Sequence, residues 1–379
     1  MELTKNQKEK VKVVFTGGHA GTTAIATIEE VVRQKLNWAI YWIGPKKTFE
    51  GKEIASYHSR VFPKLGVYYK GITTGRLQRK LSLWTIPSIL KIPIGLIQAI
   101  FLMGKIRPKV VVSFGGYVAF PVCLSAWVFG IPVIIHEQTM AAGLANKLSS
   151  YFADKITLAR KESELYYPKE KTILVGNPIR REILEVRPKK KISNSPTIYI
   201  TGGSSGSQII NQTIDRVLEK ILASYRVIHQ AGELDISFFE DRKNRLPQNL
   251  KERYKVFSFI DPQEISQIYE KADILISRAG ANTISEILAT RRPSILIPIP
   301  WTRYDEQTKN ALMAQNAGIA KVIKQEDLSG EKLLEELDEV KKDWEKMANG
   351  MDLGLAKLDF QAASQLVSLI KEILGSTLH

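Results

Sequence analysis

The 379-residue chain predicts an α/β fold built from two doubly wound, Rossmann-like parallel-sheet domains facing one another across a cleft. Three observations carry the prediction of paired domains. Short β-branched runs recur at the spacing of strand and crossover helix, a polar stretch divides the series in two, and each half opens on a glycine-rich strand-to-helix turn. In the first half the runs are 11–15, 39–43, 67–69, 110–114, 132–135, 155–158 and 172–175. In the second half they are 197–201, 226–229, 255–258, 273–277 and 294–299. Their near-continuous apolar character suits strands covered on both faces, which is the condition of parallel sheets.

Between the two series, Pro188, the lysines Lys189, Lys190 and Lys191, and the run Ser193, Asn194, Ser195, Pro196 read as a solvated linker. The expected boundaries are a first domain at 1–185, a linker at 186–196, a second domain at 197–350, and a C-terminal helical segment at 351–379 with the first domain as a place to pack. Apolar residues at helical spacing across 355–374 support that last element.

With 44% hydrophobic residues and 16 prolines the composition is that of a globular chain. The first ten residues alternate charge with little apolar content and lack the core of a signal peptide, so export is not expected. Cys123 is the only cysteine, which excludes a disulfide or a cysteine-based metal site within one chain and reads as a buried small hydrophobe.

The formal net charge of +15 calls for an anionic partner, and its distribution says which. From Ile54 to His136 there is no Asp or Glu, while Arg60, Lys64, Lys70, Arg76, Arg79, Lys80, Lys91, Lys105, Arg107 and Lys109 are all basic. Inside that stretch, residues 81–104 are largely apolar and include Trp84 and Phe101. Pro87, Pro93 and the central Lys91 make a poor spanning helix, whereas a basic collar around an apolar segment suits an anionic membrane surface. Nucleic acid is not expected, because aromatic residues are not interleaved with the basic ones.

The first strand ends in Thr16-Gly17-Gly18-His19-Ala20-Gly21, a turn whose glycines let backbone amides approach an oxyanion closely. A histidine at a helix N-terminus is kept neutral by the dipole and can accept a proton near pH 7; a structural histidine is the alternative reading of His19. The second turn, Gly202-Gly203-Ser204-Ser205-Gly206-Ser207, offers three glycines and three hydroxyls as a phosphate cradle and lacks a P-loop lysine. A third strand end, Ser277-Arg278-Ala279-Gly280, leads into Ala281-Asn282-Thr283, with Glu286 about one turn inside the helix and within reach of ribose hydroxyls. A fourth delivers Asp305, Glu306 and Gln307 toward sugar hydroxyls. In the first half, Gly115-Gly116-Tyr117, His136-Glu137-Gln138-Thr139 and Gly176-Asn177-Pro178-Ile179-Arg180 also follow strands, whose carboxyl ends line the ligand crevice of such sheets. No Asp-x-Asp or His-Glu-x-x-His motif occurs, so no metal site is indicated.

Taken in order from about Val11 to about Ile323, these motifs, with Gly143-Leu144-Ala145-Asn146 and Asn310-Ala311, resemble the MurG-type family of peptidoglycan N-acetylglucosaminyltransferases, family-28 transferases of GT-B fold. The resemblance implies inverting transfer of N-acetylglucosamine from UDP-N-acetylglucosamine, a substrate rather than a cofactor, to the muramoyl 4-hydroxyl of lipid I, giving lipid II. It implies a peripheral place on the cytoplasmic face of the membrane, an undecaprenyl-diphosphate-linked acceptor, and cell-wall synthesis proteins as partners. Residue by residue, Thr16, Gly17 and Gly18 would touch the transferred sugar, Ser204 and Ala281, Asn282 and Thr283 the diphosphate, Glu286 the ribose, the backbone near Ile260 the uracil and Gln307 the sugar hydroxyls. Arg180 would reach the donor phosphates from the first half, and Thr139 stands where the family has an asparagine near the donor sugar. Tyr117, His136, Glu137, Gln138 and Asn146 would serve the acceptor, and His19 would be the base. An epimerase of the same nucleotide sugar, a non-catalytic lipid-diphosphate binder, and a related transferase acting on a diacylglycerol, which only the acceptor distinguishes, are the competing readings. The basic apolar segment argues against the first, and the donor-type residues argue against the second.

Overall fold

The computed structural model describes residues 9–18, 21–46, 59, 61–75, 85–203 and 206–376. The chain forms two compact units, Met1–Pro178 with Gln361–His379, and Ile179–Phe360.

In the first unit, β1 (Val11–Thr16), β2 (Trp38–Pro45), β3 (Tyr68–Ile72), β4 (Val110–Ser113), β5 (Val133–Glu137), β6 (Lys155–Leu158) and β7 (Thr172–Leu174) form one sheet in the order β3-β2-β1-β4-β5-β6-β7. Every pairing in it is parallel. Every residue of β4 and β5 is buried, as expected of strands covered on both faces. Helix Gly21–Arg33 buries Ala24, Ile25, Ile28 and Val31, the i, i+1, i+4, i+7 stripe of a helix lying on a sheet. Full burial of each such aliphatic side chain contributes about 1.5–3 kcal/mol. Helix Gly354–Ser376 begins in the second unit, and its Leu366, Val367, Ile370 and Leu374 join the first unit's core beside Val13, Phe15 and Ile28.

The second unit holds β8 (Thr197–Thr201), β9 (Arg226–Gln230), β10 (Tyr254–Phe257), β11 (Ile274–Ser277), β12 (Ser294–Leu296) and β13 (Ala320–Val322), ordered β10-β9-β8-β11-β12-β13 and again wholly parallel. In both sheets the strand order reverses beside the first strand of the unit, at β1/β4 and at β8/β11. Those reversals are where helices leave on opposite faces and a crevice opens above the strand ends. The glycine turns after β1 and β8 therefore sit at the two ligand-binding positions of the fold.

The segment expected to be a solvated tether is pinned instead. Asp273, 1% exposed, accepts from Lys189 Nζ at 2.8 Å, from Ser193 N and Oγ at 3.2 and 2.8 Å, and from Thr197 N at 2.8 Å. A buried carboxylate demands donors, and these residues supply them.

Candidate functional site

At the second switch point, β8 runs into Gly202 and Gly203, and the turn closes where Gly206 N donates to Gly203 O at 3.1 Å. The glycines are steric necessities. A Cβ on Gly202 would stand 2.3 Å from Ser207 N, and one on Gly206, at φ +75°, would stand 2.1 Å from Ala231 O. Ser207 begins helix Gln208–Ser224 without capping it through its side chain. Its hydroxyl accepts from Arg278 Nε at 3.1 Å. Ser204, the expected phosphate ligand, lies outside the described residues.

Arg278 is a brace that the motif contained and the site assignment passed over. Besides Ser207, its guanidinium donates to Ile297 O at 3.0 Å and to Gln325 Oε1 at 2.9 Å, tying the phosphate turn to the end of β12. Burial lowers its pKa to about 10, which leaves it cationic, and all of these acceptors are neutral. Across the switch point, helix Ala281–Thr290 starts from Gly280, which has no side chain to cap it. The first-turn amides at Ala281, Asn282 and Thr283 thus face the crevice end of the sheet with a positive dipole end behind them.

One turn further, Glu286 accepts from the Tyr269 hydroxyl at 2.8 Å through Oε2. Desolvation raises its pKa from 4.5 to about 7, while the Tyr269 hydrogen bond and the positive charge of Arg180 pull it back down. Ile260 is buried, and the adjacent Asp261 side chain caps the turn that begins at Pro262. Gln307 commits Oε1 to Ile299 N at 3.1 Å. Asn310 Nδ2 holds Ala279 O at 3.1 Å, fixing the same corner.

Arg180, assigned above to the first half, belongs to the second unit, because the division falls between Pro178 and Ile179. Its buried guanidinium donates to Pro262 O and to Glu182 Oε2 and sits close enough to Glu286 to act on its charge. The short helix Arg181–Leu184 packs on helices Ala281–Thr290 and Ile265–Lys271, and this packing brings Arg180 beside Pro262 and Glu286.

At the first switch point the two glycine loops lie backbone against backbone. Gly18 N donates to Gly115 O at 2.9 Å, and Gly116, at φ +89°, leaves no room for a Cβ, which would stand 2.7 Å from Gly18 N. His19 lies outside the described residues. Thr16, expected to touch the sugar, is fully buried and spends its hydroxyl on Ile43 O at 2.8 Å, so its side chain ties β1 to β2 instead.

Three acceptor assignments change in the same way. His136 is fully buried, bonds Thr157 Oγ1 at 3.0 Å through Nδ1, and is driven to a pKa of about 3 by burial. It stays neutral. Glu137, 2% exposed, accepts from Gly143 N at 3.0 Å, Asn146 Nδ2 at 3.0 Å, Tyr167 OH at 2.7 Å and Thr139 Oγ1 at 2.8 Å. Glu137 and Asn146 thereby shape the 139–146 loop from beneath, and Thr139 is engaged with that carboxylate. These residue types looked like ligands in sequence because a polar side chain at a strand's carboxyl end does either job. Tyr117 and Gln138 remain partly exposed, with Gln138 Nε2 on Phe114 O at 3.3 Å. Cys123 is buried and its pKa is pushed up to about 11, a hydrophobe rather than a nucleophile.

The chain matches the Glycosyltransferase family 28 N-terminal domain over residues 13–158 and the Glycosyltransferase family 28 C-terminal domain over residues 197–367. It is 34% identical over 373 residues to a UDP-N-acetylglucosamine–N-acetylmuramyl-(pentapeptide) pyrophosphoryl-undecaprenol N-acetylglucosamine transferase of Legionella pneumophila (strain Lens), covering 95% of this chain and 96% of that one. Among solved structures, MurG of Acinetobacter baumannii superposes with a TM-score of 0.64 at 24% identity, covering 96% of this chain and 99% of that one. A UDP-GlcNAc 2-epimerase from Neisseria meningitidis bound to UDP-GlcNAc reaches 0.60 at 15% identity, covering 96% and 100%. The fold is therefore the GT-B fold that transferases and epimerases share, and fold alone does not choose between them. Full-length identity does choose: the chain belongs to the family of UDP-N-acetylglucosamine–N-acetylmuramyl-(pentapeptide) pyrophosphoryl-undecaprenol N-acetylglucosamine transferases.

Proposed function

We propose that this chain transfers N-acetylglucosamine from UDP-N-acetylglucosamine to the 4-hydroxyl of the muramoyl sugar of lipid I, forming lipid II with inversion at the anomeric carbon. The observation that carries the reading is the 34% identity to a named transferase along 95% of the chain, with both family-28 domains present in order. The second unit supplies the donor site: first-turn amides at Ala281, Asn282 and Thr283 for the diphosphate, Glu286 for the ribose, the Ile260 backbone for uracil and Gln307 Nε2 for the sugar. His19 takes the proton of the attacking hydroxyl as oxygen bonds to the anomeric carbon and the bond to the β-phosphate breaks. Charge developing on UDP is stabilised by helix dipoles and by the cations Arg180 and Arg278.

The acceptor is lipid-linked, and the first unit offers an apolar surface for it. Helix Thr85–Ile106 buries Ala99, Met103 and Ile106 and turns Ile97 and Phe101, each 67% exposed, outward. It meets the neighbouring helix Ala119–Val128 where Gly104 faces Phe129, which with Trp127 extends the exposed apolar area. Lys105, Arg107 and Lys109 flank it, each able to contribute about 1 kcal/mol near anionic lipid. The exposed apolar residues with cations beside them suit a peripheral role at the cytoplasmic leaflet of an anionic membrane. Among the described residues no helix is long and apolar enough to cross a membrane.

The test supplies radiolabelled UDP-N-acetylglucosamine and lipid I in detergent and follows label and released UDP. Label moving into the lipid with stoichiometric UDP release is the expected result. Label recovered only in a water-soluble epimer, or the absence of UDP release, overturns the reading.

A further inference from the structure

Glu286 reaches the nucleotide side of the second unit from the second turn of its helix, and a glutamate there has three rotatable bonds with which to miss its target. The structure removes that freedom from outside the helix. Tyr269, on helix Ile265–Lys271 and 1% exposed, donates its hydroxyl to Oε2 at 2.8 Å, while Oε1 accepts nothing among the described residues. One oxygen is anchored and the other is presented.

The anchor is itself held. The Tyr269 ring packs edge-on against Tyr199 with centroids 6.1 Å apart and an interplanar angle of 76°. Its carbonyl accepts from Arg292 Nε at 2.9 Å, and buried Arg292 also donates to Thr290 O at 2.6 Å, at the far end of the helix that carries Glu286. Tyr199 turns its own hydroxyl elsewhere, to Gln230 Oε1 at 2.9 Å, and Gln230 Nε2 donates to Gly203 O in the phosphate turn at 3.2 Å. Two adjacent phenols therefore serve two different parts of one site.

We propose that Tyr269 is a positioning residue that aims the Glu286 carboxylate at the ribose of the donor nucleotide. The inference rests on the reading of Glu286 as the ribose ligand. It adds the group that makes that contact selective, since a carboxylate already held by one charge-assisted hydrogen bond loses less freedom when it binds. The titratable and charged groups around Glu286 are Tyr269 from helix Ile265–Lys271, Tyr199 from β8 and Arg180 from the segment after β7, and only Tyr269 bonds it directly.

The test is calorimetric titration of the full chain with UDP and with 2′,3′-dideoxyuridine diphosphate, for the wild type, Tyr269→Phe, Glu286→Ala and the double variant. The wild type should prefer UDP. Tyr269→Phe should lose roughly tenfold in UDP affinity, the scale of one hydrogen bond to a charged group, with little change for the dideoxy ligand. Its pH midpoint for UDP binding should move upward, because the lost donor favours the ionised carboxylate. In the Glu286→Ala background the same change should cost nothing. Equal losses for both ligands, an unmoved midpoint, or a full cost without Glu286 would each show a merely structural tyrosine and overturn the proposal. A wild type with no ribose preference would instead overturn the reading of Glu286 beneath it.

Discussion

Nucleotide binding by this chain should titrate with Glu286. Desolvation lifts its carboxyl from 4.5 to about 7, and the ribose hydroxyls are donors that need the ionised form. Binding therefore pulls the proton off, so affinity rises with pH up to about 7 and is flat above it. Between pH 8 and pH 6 the ionised fraction falls roughly tenfold, a loss of about 1.4 kcal/mol in UDP binding. The β-phosphate of UDP also titrates near 6, at about the value of a phosphomonoester, and adds its own slope. Glu286→Gln keeps that slope and removes the carboxylate's, so the difference between the two titrations isolates the residue. The unliganded protein should show the opposite sign. A carboxyl whose pKa is raised by folding stabilises the folded state while protonated, so stability falls as pH rises from 4.5 to about 7. Glu286→Gln should thus melt higher than the wild type above pH 7 and bind UDP more weakly there. Parallel pH profiles in the two proteins, for binding and for melting, would refute the assignment of a raised pKa to this carboxylate.

Gly206→Ala forces a Cβ to within 2.1 Å of Ala231 O at a φ of +75°, and should cost about 1–3 kcal/mol of stability in thermal melts and displace the phosphate turn, seen as lost UDP binding. His19→Ala should lose most turnover, on the scale of about 10²–10⁴-fold for a general base, while UDP titrations stay near wild type; an equal loss of binding would contradict a role confined to proton transfer. Phe101→Ser, on the exposed face of helix Thr85–Ile106, should leave UDP binding intact and weaken sedimentation with anionic vesicles, and unchanged sedimentation would remove that helix from the membrane surface.

The strand runs, the glycine turns and the helical stripe of residues such as Ile25, Ile28 and Val31 were legible in the sequence because each depends on its own neighbours. Side-chain periodicity reports which face is covered, and glycine reports where a Cβ cannot fit. The glycine turn after β8 and the helix start at Ala281 follow from that local logic, and so does the order of motifs that carried the family resemblance. The choice of partner for a buried polar group is not local. Whether a polar residue at a strand end faces a ligand or a neighbouring loop depends on elements tens of residues away. Glu137 looks like a ligand in sequence until Asn146 and Tyr167 are seen to occupy it. Arg180 reads as part of the first half by position, but its short helix packs on the second unit. Arg278 and Tyr269 leave no signature of their role in the chain, since one is defined by carbonyls at the end of β12 and the other by a carboxylate 17 residues away on another helix. The sequence alone determined the architecture and the family, because sterics and periodicity act between neighbours. Only the tertiary structure decided which polar side chains are spent on holding the site and which remain to bind, because desolvated groups find their partners across the fold.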